Sequence, residues 1–236
     1  MIDEGPTMSL IEHLEELRHR LIIVVISVVV AAVIGFIFSG SVLDLLRLPL
    51  PSDYDTIYFT GPADAFGVQV KIAGFIGIAL AMPVILFHVW RFVTPGLTKR
   101  ERRFIWPVMV AAILLFALGI VVGYAIIPYA LRFLLGFARP GLQPLLTIDG
   151  YVGFVTTMLL AFGIVLEFPI VLVGLARVGI LSYRRLAAQR RLAIVGITVF
   201  AIVITPGGDP ISPIILGSVM YLLFEGSLFV IRLIRR

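Results

Sequence analysis

The sequence predicts an all-α polytopic membrane protein with six transmembrane helices, both termini cytoplasmic, and short interfacial helices in the outside loops. Three observations carry this. Hydrophobic residues make up 60% of the 236 residues and charged residues only 14%, with a mean hydropathy of +1.11. A soluble domain of this length needs far more polar surface to stay dispersed. Apolar runs recur along the whole chain at lengths near the ~20 residues that cross a bilayer. Lysine and arginine are sorted by position: fifteen of nineteen fall in four clusters, each following an even number of apolar runs.

The runs follow in order. The first, about 21–38, is uncharged and rich in Val and Ile. The second, about 67–92, carries Lys71 near its start. The third is about 104–127 and the fourth about 151–176. The fifth, 192–204, has only 13 residues, about 20 Å of helix against a ~30 Å hydrocarbon core. The sixth, about 211–231, is interrupted by Pro213 and Glu225.

The basic clusters are Arg18 and Arg20; Arg91, Lys99, Arg100, Arg102 and Arg103; Arg177, Arg184, Arg185, Arg190 and Arg191; and Arg232, Arg235 and Arg236. The other connections hold Asp44, Asp53, Asp55, Asp64, Asp149 and Asp209 with few bases. The positive-inside rule therefore puts both termini in the cytoplasm and requires the short fifth run to cross. The whole of 1–236 reads as one transmembrane domain. Two outside connections, 39–66 and 128–150, are amphipathic and punctuated by proline. They read as interfacial helices and turns, with an apolar stretch at 129–137 in the second. The N-terminus is acidic, without the basic start of a secretory signal. No internal repeat stands out.

Three places could carry function. In the amphipathic segment 9–20, Ser9 and Glu12 have capping-box spacing, and Glu15–His19 and Glu16–Arg20 are i,i+4 pairs. It is either an interfacial lead-in helix or a docking face whose carboxylates are not all neutralised. In the loop 92–103, Glu101 is the only acid beside the five bases Arg91, Lys99, Arg100, Arg102 and Arg103. It either caps the next helix from Thr98 or offers a carboxylate to a ligand. Glu167 lies ten residues before Arg177, near mid-membrane, where a carboxylate costs at least ~2.5 kcal/mol unless neutral, hydrated or paired. It is a structural acid or a polar site for a partner helix or substrate. Enzyme chemistry finds no support: there is no cysteine, no nucleophile–base motif, no phosphate-binding loop, and three histidines without metal spacing. No cofactor and no nucleic acid are implied.

Several motifs in sequence resemble the TatC family, the multispanning subunit of the twin-arginine protein translocase. His13 to Leu21 (H-L-E-E-L-R-H-R-L) is similar to the family's H-L-x-E-L-R-x-R-L, and Pro95 to Arg103 (P-G-L-T-K-R-E-R-R) to its P-x-L-x-x-x-E-R-R. Pro83–Leu86, Ala161–Gly163 with Phe168–Pro169, Thr205–Pro206 and Met220–Glu225 also match. The resemblance implies a receptor for twin-arginine signal peptides of folded proteins in the cytoplasmic membrane of a prokaryote. It implies TatA-like and TatB-like single-span partners, a homo-oligomeric receptor complex, and coupling to a proton gradient. It carries arginine recognition to Glu16 and Glu101, supported by His13, Arg18, Pro95, Leu97, Arg102 and Arg103, and an intramembrane partner site to Glu167 and Thr205. The basic clusters would orient the protein and bind anionic lipid. The short fifth and sixth runs would thin the bilayer beside them. Two departures stand out: Thr205–Pro210 is one residue longer than the family pattern, and Pro213 replaces a glutamine. The competing reading from residues alone is a small-solute secondary transporter, which would use Glu167.

Overall fold

The computed structural model describes residues 10–54, 56–93, 105–141, 143–177, 179 and 181–234. Among these there are nine α-helices and no strand, and five helical stretches are long and apolar enough to cross a membrane. The chain is a helical membrane protein. The helices are α1 (Leu10–Ile37), α2 (Ser39–Arg47), α3 (Asp64–Val93), α4 (Ile105–Leu135), α5 (Ile148–Val165), α6 (Phe168–Arg177), α7 (Tyr183–Ala188), α8 (Arg190–Ile204) and α9 (Ile211–Ile234).

The long helices alternate in direction, so the bundle has two distinct ends. The start of α1 lies against the end of α3, where the His13 ring stacks on Phe92. Further along, Gly35 meets Ala73 and Ile76, and Gly77 meets Val28 and Ala32. A Cβ on Gly77 would stand 2.8 Å from both the Ala32 Cβ and the Val28 carbonyl. Only small residues allow two apolar helices to approach that closely. α5 is central: Val152, Val155, Met158 and Phe162 are all fully buried. α1 is peripheral and leaves a broad apolar face (Val25, Val29, Val33, Ile37) open.

Three stretches depart from the sequence reading. α4 does not stop before Pro128 but runs on to Leu135, so 129–135 continues a long helix instead of forming a separate interfacial one. An interior proline costs ~3 kcal/mol. Ile126, Ile127, Ala130 and Leu131 pack into the core on both sides of it, which offsets that cost. The fourth run is two helices. Pro169 has no N–H for the Val165 carbonyl and its ring would press on it, so α5 ends at Val165. α6 restarts at Phe168, with the Glu167 carbonyl accepting from Ile170 and Val171 at 3.0 and 3.2 Å. The sixth run is not short: α9 has 24 residues, because Pro213 falls in its first turn, where an N–H has no helical acceptor anyway.

α8 is short, with 15 residues, roughly 22 Å. It runs antiparallel to α9: Arg190 pairs with Glu225, while Ala201 and Ile197 face Gly217. The bundle end opposite His13 is closed by bonds between separate segments. Tyr58 and Thr147 form a parallel bridge, with Tyr58 N–H donating to Leu146 O at 2.9 Å and Ile148 N–H to Tyr58 O at 3.0 Å. The amphipathic helix α2 is held there by the hydroxyls of Tyr124 and Tyr151. Lys71 pairs with Asp149 at 2.6 Å.

Candidate functional site

Glu16 lies in the second turn of α1, on the side facing the end of α3. Its two oxygens have different surroundings. Oε1 accepts from Arg20 Nε at 3.0 Å and also meets Nη2 of the same guanidinium. Oε2 is buried and has no hydrogen-bond partner. His13 Nδ1 lies 3.8 Å from it, beyond hydrogen-bond range. The His13 ring is fixed by its stack on Phe92, with centroids 4.3 Å apart and planes 8° from parallel. Arg91, beside Phe92, lies over the Phe87 ring at 5.9 Å. The i,i+3 and i,i+4 spacings of His13, Glu16 and Arg20 put all three on one helical face. The result is a carboxylate half engaged by its own helix and half unpaired, next to the point where the chain leaves α3.

That exit leads into the segment carrying Pro95, Leu97, Glu101, Arg102 and Arg103, all outside the described residues, as are Ser9 and Thr98. The described structure therefore brings His13, Glu16, Arg20 and Phe92 together and places the start of the Glu101 loop beside them. Arg18 points elsewhere: it pairs with Glu15 at 3.5 Å, both side chains largely exposed.

Glu167 sits in the break between α5 and α6, only 7% exposed, and neither of its oxygens has a hydrogen-bond partner. Thr205 ends α8 and is equally buried, but its hydroxyl donates to Ala201 O at 2.6 Å, within its own helix. No hydrogen bond joins the two; α6 and α8 both flank α9. One polar group escaped the sequence reading, and a second, Glu225, entered it only as an interruption of the sixth run. Asp209 counted there as a surface acid. It is 1% exposed, and its Oδ1 accepts from Ser212 N–H at 2.7 Å, capping α9. The Asp-x-x-Ser spacing of a capping residue could have flagged it. Glu225 is bound by Arg190 through Nε at 2.8 Å and Nη2 at 2.9 Å, a contact across 35 residues with no local signature.

A family model described as Sec-independent protein translocase protein (TatC) matches residues 12–218. The chain belongs to the TatC family. Its match takes in Glu16, Glu101, Glu167, Thr205 and Pro213 and ends before Glu225. The TatC protein of Carboxydothermus hydrogenoformans is 36% identical over 98% of this chain and 96% of its own length. That of Aquifex aeolicus is 37% identical over 97% of each. A crystal structure described as the twin-arginine translocase receptor TatC superposes with a TM-score of 0.80 at 36% identity, over 95% of this chain and all of that one. Membership in a translocase family leaves the solute-transporter alternative without support.

Proposed function

We propose that this TatC protein is the receptor subunit of a twin-arginine translocase, binding the signal peptides of folded proteins for export across the cytoplasmic membrane, and that it is not an enzyme. The observation that carries the site assignment is the half-paired Glu16 carboxylate beside the α3 exit. An arginine pair needs acids that are positioned yet not fully spent. A guanidinium stays charged and binds a carboxylate through two donors, which an ammonium cannot match. Glu16 supplies one acid and Glu101 the second, with His13, Pro95 and Leu97 shaping the site and Arg18, Arg102 and Arg103 holding the surrounding surface at anionic lipid.

The domain is read as a single unit, 1–236, with both termini cytoplasmic. The Arg-rich ends of α1, α3, α6 and α9 share one end of the bundle, which supports that orientation. The signal peptide's apolar part then lies along the bundle, and Glu167 with Thr205 offers TatA-like or TatB-like helices a polar contact. The receptor works as a homo-oligomer with those partners and takes its energy from a proton gradient. The ~22 Å of α8 thins the bilayer at one side of the bundle and eases passage; a full-thickness bilayer beside α8, measured by depth-resolved spin labels, would remove that part.

The test is crosslinking and export of a twin-arginine reporter with Glu16→Ala, Glu101→Ala and the double variant. Loss of one charge-assisted contact at a side chain 20% exposed should cost about 1–3 kcal/mol, roughly 5- to 150-fold in affinity. Undiminished binding by all three variants would refute the assignment. Replacing the reporter's arginines by lysine should weaken binding to the unaltered receptor.

A further inference from the structure

Taking Glu16 as the receptor carboxylate, we infer that Arg20 is an internal stand-in for a ligand arginine and sets the affinity threshold of the site. Arg20 presents Nε and Nη2 to Glu16 Oε1, the same fork that an incoming guanidinium would bring. Both side chains are substantially sheltered, 12% exposed for Arg20 and 20% for Glu16, so the contact is more than a loose solvated pair. Oε2 is buried and without a donor, and Oε1 is taken by Arg20. A ligand cation, arginine or lysine, therefore reaches the Glu16 carboxylate only when Arg20 leaves.

Occupancy by Arg20 therefore divides the receptor between a closed state and a small open fraction. The apparent affinity of every ligand that needs the Glu16 carboxylate is lowered by that fraction. The factor is the same for an arginine and a lysine peptide, so Arg20 does not alter their ratio. It moves both to higher concentration, and the weaker one drops below the working range first. The concentration at which paired arginines are bound is thus set partly by a residue that does not have to touch the peptide. His13, stacked on Phe92, stands on the Oε2 side of Glu16 with its Nδ1 3.8 Å away.

The experiment measures binding of fluorescent signal peptides, with arginine or lysine pairs, to the full-length protein in nanodiscs. The variants are Arg20→Gln, Arg20→Lys and Glu16→Gln, each checked for monodispersity and an unchanged helical spectrum. Arg20→Gln should bind both peptides roughly three- to tenfold more tightly, given the range for a part-sheltered ion pair. Arg20→Lys keeps the charge but loses the fork. It should also gain affinity, by a smaller factor, whereas a general field effect predicts no change. In export assays the lysine reporter should become detectable with Arg20→Gln. Unchanged or weaker binding by both Arg20 variants, while Glu16→Gln loses binding, would overturn the threshold role alone. Unchanged binding by Glu16→Gln would overturn the site reading beneath it. Should Arg20→Gln fail to fold, Arg20→Lys decides the question by itself.

Discussion

Tyr151→Phe tests how the outer end of the bundle is held. α2 ends at Arg47, so its last carbonyls lack donors from their own helix. Leu46 is the exposed flank of that problem only in sequence; in space it is 2% exposed. Three residues on stands Pro49, without an N–H, and the Leu50 N–H is already given to Arg47 O at 3.0 Å. The Leu46 carbonyl is served instead by the Tyr151 hydroxyl at 2.6 Å, and Tyr151 is itself 4% exposed. Removing the hydroxyl orphans a buried acceptor, which costs about 1–3 kcal/mol. For a chain of this length that lowers the unfolding midpoint by roughly 2–12 °C. Tyr124→Phe is the internal control. Its hydroxyl bonds Leu45 O at 2.7 Å, but that carbonyl also accepts from Leu48 N–H at 3.3 Å, and the bond is exposed. The loss there should stay under about 1 kcal/mol. Thermal unfolding of both variants in one detergent, with hydrogen exchange across 39–47, gives the comparison. A Tyr124→Phe cost equal to or above that of Tyr151→Phe would refute the reasoning.

Two further outcomes follow from packing and charge. Gly77→Val should destabilise by more than about 2 kcal/mol, because one of the atoms its Cβ meets is the Val28 backbone carbonyl, which cannot rotate away. Gly74→Ala, with nothing within 4 Å of the added carbon, should stay within about 0.5 kcal/mol, and the same melting assay separates them. Glu225→Gln breaks a bidentate pair whose side chains are 46% and 33% exposed, so the midpoint should fall by less than about 4 °C. Exchange at the first turn of α8 should nevertheless speed up, and Arg190→Glu with Glu225→Arg should restore it; failure of the swap would show that the pair does not hold α8.

The architecture was readable because lipid imposes a simple code. Apolar length and the sorting of bases predicted the helices, including a fifth too short for any length criterion, and α8 is indeed antiparallel to α9. What the pattern could not resolve was where helices stop inside an apolar run. Pro128 and Pro169 look equivalent in sequence, yet α4 passes through the first and the second splits α5 from α6. The residues on both sides of each proline are buried, so the apolar pattern is the same at the two. At the candidate site, the i,i+4 pairing of Glu16 with Arg20 was legible from spacing. The inequality of the two Glu16 oxygens was not, since it depends on Phe92 arriving from 79 positions away in the chain to fix His13. Glu225 was underrated for the same reason, its partner being remote in sequence.

The position of Glu16 also limits how binding can be felt by the rest of the molecule. α1 rests on α3 and exposes its other faces, so a ligand engaging Glu16 and the loop after α3 pulls on those two helices first. They cannot slide past each other cheaply. Gly35 and Gly77 are interlocked with Ile76, Ala32 and the Val28 carbonyl, and moving either by a turn would drive a side chain into backbone. The α1–α3 pair should therefore respond as one body, with its spacing unchanged when a signal peptide binds. Spin labels at the exposed Val25 of α1 and Leu80 of α3, read by pulsed EPR in nanodiscs, should give the same distance with and without peptide, within about 1 Å. A shift beyond about 2 Å would mean that α1 moves alone and that the glycine contact is not a lock. If the spacing holds, an opening has to occur at another helix contact; the one between α3 and α5 is bridged by the exposed Lys71–Asp149 pair, the only ion pair between those two helices among the described residues.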